Sequence, residues 1–102
     1  MIISEENKKI GRHFGFDAQS NQLIEECAEL IQAVNKYKRV TKAIGVPVDS
    51  NRAEIVLDNI KEEIADVEIM LEQIKDLLQI DEEELNAVKV YKVNRTKERM
   101  SQ

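Results

Sequence analysis

Two short acidic segments hold the residues of this sequence that are best suited to chemistry. The first is Ile24–Leu30, which reads Ile-Glu-Glu-Cys-Ala-Glu-Leu, and the second is Lys61–Val67, which reads Lys-Glu-Glu-Ile-Ala-Asp-Val. Residues three apart on a helix project from nearly the same side. Each segment therefore predicts one pair of carboxylates on one face of a helix. The two pairs are Glu26 with Glu29 and Glu63 with Asp66.

The apolar neighbours of these pairs predict that the carboxylates lie at the edge of a core. At about 100° per residue, an apolar stripe runs along the second helix, and Glu63 lies about 60° from its axis. Glu26 sits similarly beside the apolar residues of the earlier segment. An unpaired buried charge costs several kcal/mol, and no Arg or Lys lies on either stripe, so a hard divalent metal ion is the expected partner. The stripe of the second helix consists of Ile60, Ile64, Val67, Leu71, Ile74 and Leu78.

Two interpretations of the acidic pairs stay open. A single Glu-x-x-Glu is common by chance on a charged, solvated helix, whereas two matched pairs on separate helices favour a metal site. If the helices are antiparallel, four carboxylates surround one pocket suited to Mg²⁺ or Mn²⁺. Glu25 and Glu62 lie outside the stripes, where either could orient a water molecule as an outer carboxylate. A di-iron site is disfavoured, because the only histidine, His13, lacks the Glu-x-x-His spacing.

The elements that must position these pairs are predicted to be four helices. A short helix spans residues 4–13 and weakens at Gly11, and the loop of residues 45–51 separates the second helix from the third. The fold class predicted is all-α: a helical bundle of three longer helices plus a short N-terminal helix, completed by oligomerisation, in one domain over residues 1–102. The longer helices are expected at Ala18–Lys42 (capped by Asp17), Arg52–Leu78 (capped by Asn51 with Glu54) and from Asp81 with Glu84 to Met100.

Composition narrows the class of protein. The chain has 102 residues, of which 42% are hydrophobic and 34% charged, with three Gly and one Pro, which is typical of an all-helical protein. Its net charge of −5 argues against nucleic acid as a partner. No apolar run approaches the length of a membrane span, and no signal peptide pattern is seen. The single cysteine, Cys27, is compatible with a reducing cytoplasm, which is the expected location.

Together these residues resemble the MazG-like all-α nucleoside triphosphate pyrophosphohydrolases, over roughly Phe14 to Arg99. The resemblance implies hydrolysis of a nucleoside triphosphate or deoxynucleoside triphosphate to the monophosphate and pyrophosphate. It implies Mg²⁺ as the cofactor and Glu26, Glu29, Glu63 and Asp66 as metal ligands, and the carboxylate pocket suits Mn²⁺ as a substitute. The matching runs are Phe-Gly-Phe-Asp-Ala-Gln at 14–19, Glu-Glu-x-x-Glu-Leu at 25–30 and Glu-Glu-x-x-Asp-Val at 62–67.

The resemblance also implies a basic C-terminal segment that contacts phosphates, and a homodimer or homotetramer whose nucleotide pocket is partly formed by a neighbouring chain. A solvated helix end is the alternative for this segment. A second basic cluster ends the second predicted helix, where cations suit the helix dipole; solvation and phosphate contact both stay open for it. The C-terminal residues are Lys92, Arg95, Lys97 and Arg99 for phosphate and Asn94 for substrate, and the second cluster is Lys36, Lys38, Arg39 and Lys42.

Two other functions compete with this one. The chain could be a non-catalytic helical module for protein interaction or metal binding, or a related hydrolase that acts on a phosphoribosyl nucleotide. Release of pyrophosphate distinguishes an enzyme from the module, and the identity of the second product distinguishes the two substrates.

Overall fold

Four helices follow one another along the chain in the computed structural model, which describes residues 1–42, 45 and 47–102. Within these residues there is no strand, and the all-α prediction is confirmed. Val46, in the predicted loop, lies outside the described residues. No helix among the described residues is both long and apolar enough to cross a membrane. The helices are α1 (Ile3–Phe14), α2 (Phe16–Lys42), α3 (Ser50–Leu77) and α4 (Glu82–Met100).

A single glycine separates α1 from α2. Gly15 has φ 86°, a conformation that glycine adopts without strain. Its amide donates to the carbonyl of Gly11 at 2.8 Å, and its carbonyl accepts from the amide of Gln19 at 3.1 Å. The second helix therefore begins at Phe16, and the prediction that Asp17 caps it was wrong. Asp17 lies in the first turn, where a negative charge suits the helix dipole.

The first turns of α3 and α4 are capped by aspartates. Asp49 Oδ1 accepts from the amides of Asn51 at 2.9 Å and Arg52 at 3.3 Å, so the predicted Asn51 cap was wrong. An aspartate before the helix satisfies the free amides of the first turn as well as asparagine does, and α3 therefore begins at Ser50. The predicted cap of the last helix is confirmed, because Asp81 accepts from the amide of Glu83 at 2.9 Å.

The main packing contact is an antiparallel pair formed by α2 and α3, and α1 packs chiefly on α3. The face that α3 buries is rotated from the predicted stripe towards Glu63. Ile64 and Leu71 of that stripe are each 41% exposed, whereas Met70 is buried. Periodicity locates an apolar sector, but the partner helix decides which part of the sector is covered. The buried apolar side chains are Ala33, Val56, Val67 and Met70.

Two glutamates occupy positions of this interface that apolar residues normally fill. Residues seven apart on a helix fall on nearly one line, with a drift of about 20°. Glu63 and Glu26 each lie midway between two buried residues of their own helix, at seven-residue spacing on both sides. These lines are Val56, Glu63 and Met70 on α3, and Gln19, Glu26 and Ala33 on α2.

The last helix stands apart from the other three. Among the described residues, α4 makes no packing contact with α1, α2 or α3, and its start is tied to α3 by an ion pair of Lys75 Nζ with Glu82 Oε1 at 3.2 Å. Val88, Val90 and Val93 are exposed. The packed group is therefore α1–α3, and the third long helix of the predicted bundle does not join it within one chain.

A buried amide network holds the first three helices in register. Gln19 Nε2 donates to Gln73 Oε1 at 2.7 Å, and Gln73 Nε2 donates to Asn7 Oδ1 at 3.4 Å. Gly11 allows this approach, since a Cβ at that position would lie 3.2 Å from the Gln73 Cβ. Gln73 is 2% exposed, so the network is closed to solvent.

Replacing Gln73 by leucine is expected to destabilise the fold. Gln73→Leu leaves the amide of Gln19 buried without its acceptor, which costs about 1–3 kcal/mol. Denaturant unfolding followed by circular dichroism measures the change. Asn21→Leu, the same kind of replacement at an exposed position of α2, is the control. Equal stabilities for the two variants would show that the network contributes nothing.

Candidate metal centre

The carboxylates predicted as metal ligands meet at the α2–α3 seam. One oxygen each of Glu26, Glu29 and Glu63 can be chosen so that all three lie within 4.8 Å of one another, and the three residues are half-buried. Asp66 joins them from α3, where its carboxyl group lies beside that of Glu26. These four residues are called the carboxylate cluster below.

The cluster follows from the antiparallel register of the two helices. Gln19 faces Gln73 across the seam. Seven residues further along α2 and seven residues back along α3, Glu26 faces Asp66. The next pair along the same register is Glu29 with Glu63. Each helix therefore contributes one residue to each facing pair.

The cluster lacks partners for its negative charge. Glu26 Oε1 accepts from Gln22 Nε2 at 2.7 Å, but Glu26 Oε2 and Glu63 Oε2 are both buried with no hydrogen-bond partner among the described residues. Within the described part of the chain, no Lys, Arg or His nitrogen lies within 4.0 Å of any cluster carboxylate. Buried carboxylate oxygens without a cation or a donor are costly, so the cluster is suited to bind a cation.

Three residues of the cluster have raised pKa values. The negative charge of Glu26, followed by loss of hydration, raises the pKa of Glu29 above its ordinary value. For Glu63 and Asp66, loss of hydration is the main cause of a raised pKa; the charge of Asp66 adds to it for Glu63, and the charge of Glu26 adds to it for Asp66. Like charges and desolvation both disfavour the ionised forms, and a bound cation would oppose both effects.

The donor set of the cluster fits a hard cation. All four side chains offer carboxylate oxygens. These are the ligands that Mg²⁺ and Mn²⁺ prefer, whereas zinc and copper prefer nitrogen and sulfur ligands. Imidazole is missing from the set, because His13 is exposed on α1 with its ring against Phe14. The residues present fit Mg²⁺.

A cleft of about 610 Å³ opens from the cluster along the seam. Its lining includes Glu29 and Glu63 together with Lys36 and Arg39 of the basic cluster that ends α2. The sequence-based reasoning missed its amides, although spacing offered a signal: Asn59 precedes Glu63 by four residues, as Gln22 precedes Glu26. The amide side chains that line the cleft are Gln32, Asn35 and Asn59.

The other predicted site residues lie outside the cluster. Glu25 and Glu62 are exposed beside it, and their charges contribute to the raised pKa values of Glu29 and Glu63 respectively. The C-terminal residues are exposed on α4, which does not pack on α2 or α3 among the described residues. There the Arg95 guanidinium lies 5.8 Å from the centre of the Tyr91 ring. The predicted phosphate and substrate residues placed there are Lys92, Asn94, Arg95, Lys97 and Arg99.

Comparison of the chain with protein-family models, with curated proteins and with solved structures finds no match in any of the three. Support for a function therefore comes from the chain's own residues, and first from the carboxylate cluster and the cleft beside it.

Proposed function

We propose that this protein is a Mg²⁺-dependent nucleoside triphosphate pyrophosphohydrolase of the MazG-like kind, with Mn²⁺ as a substitute cation. Its reaction is hydrolysis of a nucleoside or deoxynucleoside triphosphate to the monophosphate and pyrophosphate. The observation that carries this proposal is the carboxylate cluster, in which four acidic side chains from two antiparallel helices converge without a cationic side chain among them.

A purely structural role accounts poorly for this arrangement. Glu26 and Glu63 are half-buried at the α2–α3 interface, and each lies between two buried residues of its own helix. Apolar residues at these positions would avoid the cost of desolvating two charges. Their unpartnered buried oxygens are accounted for if a cation is part of the functional protein.

Each cluster residue has a distinct setting for holding the ion. Gln22 fixes one oxygen of Glu26 by a hydrogen bond and leaves the other oxygen free, while Glu29 and Glu63 also line the open cleft through which a triphosphate can approach. When bound, Mg²⁺ supplies neutralisation of phosphate charge and a lowered pKa for a coordinated water.

The chain's remaining task is to position water and substrate. Hydrolysis joins a water oxygen to the α-phosphorus, breaks the bond to the bridging oxygen and releases pyrophosphate. In this proposal Glu25 or Glu62, both exposed beside the cluster, orients that water and accepts its proton as an outer carboxylate. Positioning of this kind, together with electrostatic stabilisation, accounts for most of the rate in phosphoryl chemistry.

The proposed enzyme is a homodimer or homotetramer. Ile24 and Ile31 lie seven residues apart on α2 and are 67% and 63% exposed, which leaves an apolar line on the outer face of the packed helices. The unpacked α4 is available for the same kind of contact. In such an assembly a neighbouring α4 would bring its polar residues to the cleft. These are Lys92, Asn94, Arg95, Lys97 and Arg99.

The decisive test is a hydrolysis assay over a panel of substrates with both products identified. The panel holds ribonucleoside and deoxyribonucleoside triphosphates and a phosphoribosyl nucleotide, each with Mg²⁺ and with a chelator. We expect monophosphate and pyrophosphate in equal amounts, and none with the chelator. Turnover of the phosphoribosyl nucleotide alone would change the substrate, orthophosphate as the product would contradict the reaction, and no turnover at high protein concentration would favour the non-catalytic module.

A further inference from the structure

Two concave surfaces adjoin along the α2–α3 seam and share their basic residues. The cleft of about 610 Å³ that begins at Glu29 and Glu63 also includes Lys36 and Arg39. A second concavity of about 180 Å³ is lined by the same Lys36 and Arg39 together with Arg52 of α3. The two form one groove, acidic at one end and basic at the other.

Helix geometry places the basic end in line with the carboxylates. Lys36 follows Glu29 by seven residues on α2, which is two turns on the same face and about 10 Å along the axis. Side chains on a helix lean towards its N-terminus, so those of Lys36 and Arg39 lean towards Glu29. Arg52 approaches from the opposite side of the seam, at the start of the antiparallel α3.

These three cations form no ion pair within the part of the chain that the structure describes. Among the described residues, no carboxylate oxygen lies within 4.0 Å of a side-chain nitrogen of Lys36, Arg39 or Arg52. The one acidic residue that lines the smaller concavity is Asp49, and its Oδ1 accepts the amides of Asn51 and Arg52 as the cap of α3. Three positive charges therefore remain available to a bound anion.

An extended anion with a divalent cation at one end fits this groove. A triphosphate retains negative charge after it binds one metal ion, and Arg and Lys side chains bind phosphate oxygens by charge-assisted hydrogen bonds. The terminal phosphate, which lies furthest from the nucleoside, carries the most negative charge and is therefore the group that these donors would stabilise most. A nucleotide that enters with its terminal phosphate towards the basic end places the rest of its phosphate chain beside the carboxylates.

We propose that Lys36, Arg39 and Arg52 form a subsite for the terminal phosphates of the substrate, so that the triphosphate lies along the seam with its terminal end towards the start of α3. This inference rests on the proposed function, because it takes the carboxylate cluster as the metal-binding end of the groove. It assigns pyrophosphate, the leaving group, to residues of the chain that holds the carboxylate cluster.

The test uses a probe that has no nucleoside, so that phosphate binding is measured independently of nucleotide hydrolysis. Inorganic tripolyphosphate is titrated by calorimetry into the intact protein with Mn²⁺, and Mn²⁺ binding alone is measured by electron paramagnetic resonance. We expect Lys36→Ala with Arg39→Ala to weaken tripolyphosphate binding by about 10- to 100-fold and to leave Mn²⁺ affinity unchanged. Lys38→Ala with Lys89→Ala removes the same charge from exposed positions that line neither concavity, and is expected to change neither quantity.

The outcomes separate this subsite from the proposed function. Loss of tripolyphosphate binding in the first double variant alone supports the subsite, even if no nucleotide is hydrolysed. Equal losses in both double variants would mean a general charge effect and would overturn it. Failure of the unmodified protein to bind tripolyphosphate would also overturn the subsite. An unchanged KM for nucleotide hydrolysis in the first double variant would overturn the subsite as well, but the hydrolase assignment would then still stand.

Discussion

Glu63→Gln is expected to lower kcat/KM for pyrophosphate release by about 1,000-fold, the scale of loss when a group that stabilises charge at a reacting phosphate is removed. The amide keeps the size of the side chain but not its charge. In the structure Glu63 lines the cleft, faces Glu29 and has one buried oxygen without a partner. A steady-state assay of pyrophosphate release measures the effect.

The same substitution should act in the opposite direction on stability. In the metal-free protein, Glu63 is a desolvated charge close to Asp66 and Glu26, so its neutral amide relieves repulsion and raises Tm. Glu68→Gln is the matched control on the same helix, exposed and about 140° around the axis from Glu63. A gain in metal-free stability together with loss of activity is the signature of a functional site, whereas loss of both would indicate a structural role for Glu63.

The second large effect concerns pH and the cation together. The raised pKa values of Glu29, Glu63 and Asp66 mean that the folded protein holds protons more tightly than the unfolded chain, whose ordinary values are 4.5 for Glu and 3.8 for Asp. Between the ordinary and the raised pKa values the folded state therefore binds more protons, and the contribution of the cluster to stability falls as pH rises through that window.

Mg²⁺ should reverse this trend, because it binds only the ionised cluster. We expect the rise in Tm caused by saturating Mg²⁺ to be absent at about pH 4 and to grow as pH rises through the raised pKa values, reaching a plateau above them. Differential scanning fluorimetry at a series of pH values, with and without Mg²⁺, measures it. In Glu63→Gln the increment should be largely lost at every pH; an increment independent of pH would mean that the cation binds elsewhere.

Much of this arrangement could be predicted from the sequence, because it depends on spacing within helices. Glu26 and Glu29, like Glu63 and Asp66, had to share a face once the segments were helical, and the connection between the helices favoured antiparallel packing. The exact face was harder to predict. Apolar periodicity centred the stripe of α3 on residues such as Ile64, whereas the contact with α2 buries Met70 and brings Glu63, half-buried, to the seam.

Features that depend on how separate elements meet were not predictable in the same way. Gly11 was expected to weaken α1, but it lies inside the helix, where the missing side chain lets Gln73 approach. The cap at Asp81 predicted where α4 begins. A cap is a local feature, so it could not show which helix α4 would pack against. From the sequence, Lys36 and Arg39 could be solvated residues or phosphate contacts, with solvation favoured, and the fold places both in one cleft with Glu29 and Glu63.

The most direct test of the central claim, that the carboxylate cluster binds a divalent cation, is anomalous diffraction from crystals of the protein soaked in Mn²⁺. We expect a manganese peak at the α2–α3 seam, with carboxylate oxygens of Glu26, Glu29, Glu63 and Asp66 at about 2.0–2.3 Å, and no such peak in crystals of Glu63→Gln. Manganese bound only elsewhere, with the four carboxylates turned away from one another, would contradict the account.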